Sequence, residues 1–558
     1  MKKKKNIKIK KNHSKGFKRE IGSKLIDYEQ LELKALEYYK AKDFHKAELI
    51  YKKLIAQSRN QKLDKYLCNL AAICARLGKN IDAISFLKKA LKINPNYFLA
   101  QKNLAYAFKD KGDIDSAIIA FQKTLSINKN DKEVLYDLAL LYQSQFKYEL
   151  AFKYYSYLIQ INPENIDALN NMGVILQKNG SYRDCEKFYF KSLHLNPNNP
   201  DTNNNIAVLK KDQGDIKSSI TYYKYALNLK PHDADIRTNY AYALLLEDDY
   251  SNGLYHYEAR HLGTNKCMDP IAQPISQKFS QSVLNKNDNL LIISEQGLGD
   301  TLQYMRYIPY LKKQGLDISF CAQEKLHSLI KGSGIEQNPL TTKQSILVSE
   351  GQWLPLLSLP RYLKVRPDNP IITEPYIFSS NELTKKWKNI LCKEKKVIVG
   401  INWQGNPVME NNFYQGRSIP LETFSKLFES NEIIMLSLQK GFGSEQLDHC
   451  SFKNKFVKSQ PQINSVWDFL ENAAIINNCD LIITCDTSIA HLAGGMGKKV
   501  WLLLRDIPHW TWGLEGENTF WYSSMRLFRQ KERHNWEEVI ERVSSSLQEE
   551  IEDTISTQ

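Results

Sequence analysis

No stretch of this 558-residue chain is long and apolar enough to span a bilayer as a helix. No two cysteines have the C-x2-C spacing of a zinc or thioredoxin-type site, although nine are present. Cys68, Cys74 and Cys479 sit inside apolar helical patterns, which fits a reduced, cytoplasmic protein with buried thiols. The first 19 residues contain no acid, only ten lysines and arginines, and no apolar segment comes after them as a secretory signal requires. Residues 1–27 therefore read as a disordered, solvated tail, with peripheral contact to an anionic membrane surface or RNA as the alternative. That tail carries +10 of the net charge of +14, so the rest is close to balanced and gives no sign of specific nucleic-acid binding. The length exceeds what one hydrophobic core serves, and about three domains are expected.

From Tyr28 to Tyr257 the sequence repeats itself. Asn94-Pro95, Asn128-Lys129, Asn162-Pro163, Asn196-Pro197 and Lys230-Pro231 recur every 34 residues. Small residues stand at Ala71, Ala105, Ala139, Gly173, Ala207 and Ala241, and again at Ala83, Ala117, Ala151, Cys185, Ser219 and Gly253. Bulky ones come at Leu87, Phe121, Tyr155, Tyr189, Tyr223 and Tyr257. Small residues at fixed helical positions let two helices approach, large ones fill the space between them, and Pro stops the second helix. The pattern resembles the tetratricopeptide repeat, one helical hairpin per 34 residues, and about seven units are expected over residues 28–265. Asn69, Asn103, Asp137, Asn171, Asn205 and Asn239 recur at a further position. Stacked repeats would align them into a ladder suited to gripping the backbone of an extended peptide, or alternatively to pinning neighbouring repeats together. The first reading is preferred because the superhelix of the O-GlcNAc transferases is similar in carrying an asparagine ladder. Asp137 would then favour a basic group on the ligand.

Residues 266–288 have the composition of a linker. Asn289–Ser294 reads as a buried strand, continued by Glu295-Gln-Gly-Leu-Gly-Asp300 and a helix. Gly297 and Gly299 let the backbone turn sharply, and Asp300 falls at the helix start as a functional carboxylate or an N-cap. Without a third glycine there is no dinucleotide fingerprint. Further strands are expected at Ile318–Ala322, Ser345–Val348 and Pro375–Phe378.

Strands at Lys396–Trp403, Ile433–Leu438, Leu481–Thr484 and Val500–Leu504 alternate with helices, which implies a doubly wound sheet with its polar clusters at one edge. Asp486, Thr487 and Ser488 supply capping side chains for the helix holding His491. Such a helix start can cradle a diphosphate, or be an ordinary N-cap. Gly495-Met-Gly497-Lys498 is not a Walker P-loop, because Leu492 stands where Gly and Lys499 where Ser or Thr is needed.

Ser294–Thr301, Trp403-Gln-Gly-Asn406, Arg417-Ser-Ile-Pro420, Ser437-Leu-Gln-Lys-Gly441 and Cys485-Asp-Thr-Ser-Ile-Ala-His491 resemble, in this order, bacterial tetratricopeptide-repeat proteins with a heptosyltransferase-like glycosyltransferase domain. The resemblance implies an α plus α/β chain: a repeat α-solenoid, then two Rossmann-like halves in the GT-B arrangement, residues 289–380 on the acceptor side and 381–558 on the donor side. It implies transfer of a sugar from a nucleoside diphosphate, with inversion and without metal or other cofactor. Asp300 then takes the position of the general base. Asp486, Thr487, Ser488 and His491 take that of the donor-phosphate motif. Lys440 and Arg417 are the candidate cations for the leaving diphosphate. Gln439 and Trp403 complete the donor-side candidates, and Trp510 and Trp512 are candidates for stacking on a base or sugar. Cys485 departs from the family, which often has Val there. The expected acceptor is a protein or peptide held by the repeats. The alternatives are a scaffold with a catalytically idle core, and a transferase acting on a lipid-linked or free glycan.

Overall fold

In a computed structural model the described residues are 28–58, 62–264, 268–391, 396–407, 410, 416–428 and 430–556, and the basic tail lies outside them. The chain divides into two compact units, parting after Asn205.

In the first unit, helices from Tyr28–Lys40 to Tyr182–Leu195 form five successive hairpins. Asp43, Asp113 and Asp131 each cap a helix by accepting the N–H three residues on. The repeating small residues are fully buried, as are Phe121, Tyr155 and Tyr189 opposite them. At Gly173 an added Cβ would stand 2.3 Å from the Tyr189 ring, so the helices touch where that glycine sits. Gly173→Ala should therefore cost about 1–3 kcal/mol by overpacking, seen as a lower melting temperature for the repeat array.

Four of the six ladder positions are turned toward neighbouring repeats, which corrects their expected role. Asn69 is buried and donates to the Tyr51 hydroxyl at 3.1 Å, and Asn103 is buried against Cys68. Asp137 accepts from the Tyr106 hydroxyl at 2.8 Å and from Lys109 at 2.9 Å, so its basic partner belongs to the preceding repeat and not to a ligand. Asn171, half-buried, donates to the Tyr136 and Tyr155 hydroxyls at 3.1 and 3.0 Å. A buried amide needs a partner, and in a tyrosine-rich array the neighbouring helices supply one. Asn69, Asn103, Asp137 and Asn171 thus pin repeats to each other.

The second unit begins with the end of helix Pro200–Asp212 and the helices Ile216–Leu229, Ala234–Leu246 and Tyr250–Tyr257. These share one hydrophobic core with strands and helices of the C-terminal region, such as Leu290, Leu302, Ile482 and Leu502, so residues 206–257 belong with the sheets. The connector holds the short β1 (Gln277–Lys278) and lies along the first sheet, with Ile271 donating to Ser294 and Phe279 to Trp353.

That sheet contains β1, β2 (Asn289–Ile293), β3 (Asp317–Cys321) and β4 (Gln352–Pro355), all parallel, in the order β1-β4-β2-β3. The second contains β5 (Val397–Asn402), β6 (Ile433–Ser437), β7 (Leu481–Cys485), β8 (Val500–Leu504) and β9 (Met525–Arg529), also parallel, in the order β6-β5-β7-β8-β9. Both belong to an α/β body in which β7 and β8 are buried at every residue. Two expected strands are absent. Residues 342–346 form a helix because Thr341 and Gln344 make a reciprocal capping box. Pro375–Phe378 has no strand partner; the Tyr376 and Ile377 N–H groups both donate to the Gly495 carbonyl.

Candidate active site

In an open parallel sheet, ligands collect where neighbouring strands lead away in opposite directions, at the carboxyl ends. In the first sheet that point lies between β2 and β4, and in the second between β5 and β7. The loops leaving all four strands line one cavity of about 1290 Å³: Glu295–Asp300 after β2, Leu357 after β4, Asn402 and Gln404–Asn406 at the end of β5 and after it, and Asp486–Ser488 after β7. The cavity exceeds the ~300–1,000 Å³ typical of a small-molecule site.

Asp300 lies in the first turn of helix Leu298–Tyr304. Burial pushes its carboxyl up to about 7, and the Glu295 and Asp486 carboxylates add to the effect. The carboxylate folds back over Gly297, where an added Cβ would stand 2.2 Å from Oδ2. Gly299 brings this helix against the one after β7: its Cβ would meet His491 at 3.0 Å and the Ser488 Cα at 3.6 Å. The two loop glycines thus set the carboxyl group and the gap between two helix starts. Gly297→Ala should displace Asp300 and abolish any activity that uses it, with little change in melting temperature.

Across the gap, helix Ser488–Gly495 has Thr487 as N-cap, but no side chain caps it. This corrects the capping expectation: the Thr487 hydroxyl donates to Asn402 Oδ1 at 2.8 Å instead. Ser488 and Ile489 line the cavity, and among the described residues their N–H groups have no hydrogen-bond partner. A helix start of this kind attracts an anion through its free N–H groups and dipole. The Asp486 carboxyl is pushed up by burial, with Arg417 opposing. Arg417 reaches the Asp486 carbonyl at 3.2 Å by lying over Gly405, where a side chain would collide with it. Lys440 comes just after β6, donates to the Ile463 carbonyl, and is lowered by burial to about 8, so it is charged at neutral pH.

His491 is buried, stacks on Trp512 with ring centroids 5.2 Å apart, and shares a 2.9 Å hydrogen bond with the Tyr522 hydroxyl. Burial, then Arg306 and His509, push it down to about 3. It is therefore a neutral imidazole at neutral pH.

Three expectations change here. Gln439 lines the cavity, but its amide clamps the loop after β5: Oε1 accepts from Asn402, Trp403 and Gln404, while Nε2 donates to the Gln404 and Phe442 carbonyls. Trp403 is fully buried, its indole N–H donating to the Gly443 carbonyl, and it does not line the cavity. Trp510 packs among Tyr250, Tyr257 and Trp521. Both are too deep to stack on a substrate there; Trp512 does line the cavity.

Two aromatic side chains that the motifs do not single out also line it and are exposed: Trp467 at 67% and Phe442 at 58%. Exposed aromatics are suited to stacking on a flat ring. Their signal in the sequence is position, one before the capping Asp468 and the other just past Gly441. Glu295 forms a buried two-point pair with Arg260, whose Nη2 and Nε donate to Oε1 and Oε2 at 2.8 and 3.0 Å. Among the described residues no cluster of three or more His, Cys, Asp or Glu is arranged to hold a metal, and no helix is long and apolar enough to cross a membrane.

The tetratricopeptide repeat family matches residues 64–97, 103–131, 132–165, 166–199 and 200–233. The N-terminal region is a tetratricopeptide-repeat array. Among solved structures, a tetratricopeptide repeat protein from Parabacteroides merdae is 20% identical, with 43% of this chain covering 94% of that one at a TM-score of 0.37. PilF of Pseudomonas aeruginosa is also 20% identical (36% and 91% covered, TM-score 0.31). YrrB, a repeat protein with an unusual peptide-binding site, is 17% identical (32% and 92% covered, TM-score 0.29). No curated protein matches the chain. Tetratricopeptide arrays generally bind peptides or proteins, and the family matches stop at residue 233.

Proposed function

We propose that the sheet-bearing part is a glycosyltransferase of the GT-B kind, moving a sugar from a nucleoside diphosphate to a hydroxyl of a protein or peptide bound by the repeats. The observation that carries this reading is the meeting of Asp300 and the open start of helix Ser488–Gly495 on one cavity wall. Transfer requires a base for the acceptor hydroxyl and fixed positive potential for the departing diphosphate. Asp300 is the base. The N–H groups of Ser488 and Ile489, with Lys440 and Arg417, receive the diphosphate and do the work a metal ion does elsewhere. The Thr487 hydroxyl is held by Asn402, and the neutral His491 offers a hydrogen bond without charge. Trp467 or Phe442 stacks on the base of the nucleotide.

The test is incubation of the full chain with a panel of nucleotide sugars and a cell extract, reading nucleoside diphosphate release and the mass gained by extract proteins. Release of one nucleoside diphosphate together with a sugar-sized mass gain supports the proposal. Binding of a protein without binding of any nucleotide would leave a repeat scaffold with an idle core.

A further inference from the structure

The two ring nitrogens of His491 have different surroundings. Nδ1 shares the 2.9 Å hydrogen bond with the buried Tyr522 hydroxyl. Nε2 has no hydrogen-bond partner among the described residues, and it lies on the ring edge nearest Gly299, 3.6 Å from where a Cβ there would stand. His491, Gly299 and Ser488 all line the reaction cavity. The hydrogen bond at one ring nitrogen decides what the other can offer.

The groups around Tyr522 fix the direction of that bond. Arg306 and Tyr376 are also within reach of its hydroxyl. The Arg306 guanidinium lies 4.6 Å from the Tyr522 ring centroid and is anchored by donating to the Trp521 carbonyl at 2.7 Å and the Gln303 carbonyl at 2.8 Å; it has only protons to give. The Tyr376 hydroxyl donates to the Leu302 carbonyl at 2.7 Å and accepts from Arg306 at 3.2 Å. The Tyr522 proton therefore has two possible acceptors, the Tyr376 oxygen and His491 Nδ1. A neutral imidazole nitrogen is much the stronger base, and a phenol is a better donor than an imidazole N–H.

Resting on the transferase reading above, we infer that Tyr522 is a positioning residue: its hydroxyl donates to His491 Nδ1, which places the imidazole proton on Nε2 and makes that nitrogen a donor to a phosphate oxygen of the nucleoside diphosphate. A bare Nε2 would turn a lone pair toward the phosphate oxygens and repel them. With Nε2 protonated, His491 joins the Ser488 N–H as a donor and leaves Asp300 as the base.

The test is nitrogen-15 spectroscopy of the ligand-free full chain labelled at histidine, at neutral pH, with the His491 signals assigned by their loss in His491→Gln. A ring protonated at Nε2 and bare at Nδ1 is expected. Tyr522→Phe, which removes only the hydroxyl, should move both nitrogen signals toward a mixture of tautomers. It should also weaken the tightest binding among ADP, CDP, GDP, dTDP and UDP by about three- to tenfold, the worth of one hydrogen bond. In a His491→Gln background the same substitution should change that affinity by less than about twofold, because the tyrosine acts through the imidazole. A wild-type ring protonated at Nδ1 would overturn the inference. So would a Tyr522→Phe chain that melts lower yet keeps the wild-type nitrogen signals and affinity. Absence of binding to all five nucleotides would sink the transferase reading, and with it the phosphate contact, while the tautomer set by Tyr522 is judged separately on the ligand-free chain.

Discussion

Replacing Asp300 by Asn is expected to slow the proposed sugar transfer by ~10²–10⁴-fold, the usual contribution of a positioned base, while nucleoside diphosphate affinity stays within a few-fold. The carboxyl group works as a base only when ionised. With its pKa lifted to about 7 by burial and by Glu295 and Asp486, the wild-type kcat/KM should climb as pH rises through 7 and level off above it. The Asn variant should lack that limb. Stability runs the other way. Between the ordinary carboxylate range near ~4 and about pH 7 the folded chain holds a proton that the unfolded chain has released, so unfolding becomes easier as pH rises through that window. At pH 8 the Asn variant should therefore melt no lower than the wild type. A variant that lost both activity and melting temperature at pH 8 would point to a structural role for Asp300.

The largest loss of stability is expected from Glu295→Ala. Arg260 is fully buried, and its guanidinium donates to both Glu295 oxygens, to the Ser358 hydroxyl at 3.0 Å and to the Tyr257 carbonyl at 3.1 Å. Removing the carboxylate leaves this buried guanidinium with a single remaining contact to a carboxylate, Glu258 at 3.2 Å, at a cost of about 3–5 kcal/mol. Differential scanning fluorimetry should show the transition of the sheet-bearing unit falling by several degrees. Replacing both partners, as Arg260→Met with Glu295→Leu, should recover much of it, because an apolar pair leaves no uncompensated charge. Activity should not return with stability, since Glu295 opens the glycine loop that carries Asp300.

The repeats were legible because a 34-residue period writes the same packing demand many times over, and small residues such as Ala105 and Gly173 are tolerated there for one reason only. The meaning of the ladder was not legible: an asparagine facing a groove and one facing a neighbouring tyrosine look alike in sequence, and the hydroxyls of Tyr51, Tyr136 and Tyr155 decide between them. Strands β2, β5, β7 and β8 announced themselves as apolar runs. β9 did not, because Arg526 and Arg529 interrupt its pattern, and β4 is short and ends in Pro355. The cavity-lining positions of Asp300, Lys440 and Asp486–Ser488 were legible from their places after strands, and that of Arg417 from its polar loop beyond β5. Gln439 and Trp403 hold equivalent places, yet they face the loop's own backbone and the core, a matter of side-chain direction that spacing does not record.

Central to the proposed chemistry is a diphosphate seated at the start of helix Ser488–Gly495. A crystal structure of the full chain soaked with the nucleoside diphosphate it binds tests this most directly. Phosphate oxygens within hydrogen-bond distance of the Ser488 and Ile489 N–H groups, with Asp300 open to the space beside them, are the predicted result. A nucleotide seated elsewhere, or a helix start that stays closed to it at saturating concentration, would contradict the proposed chemistry.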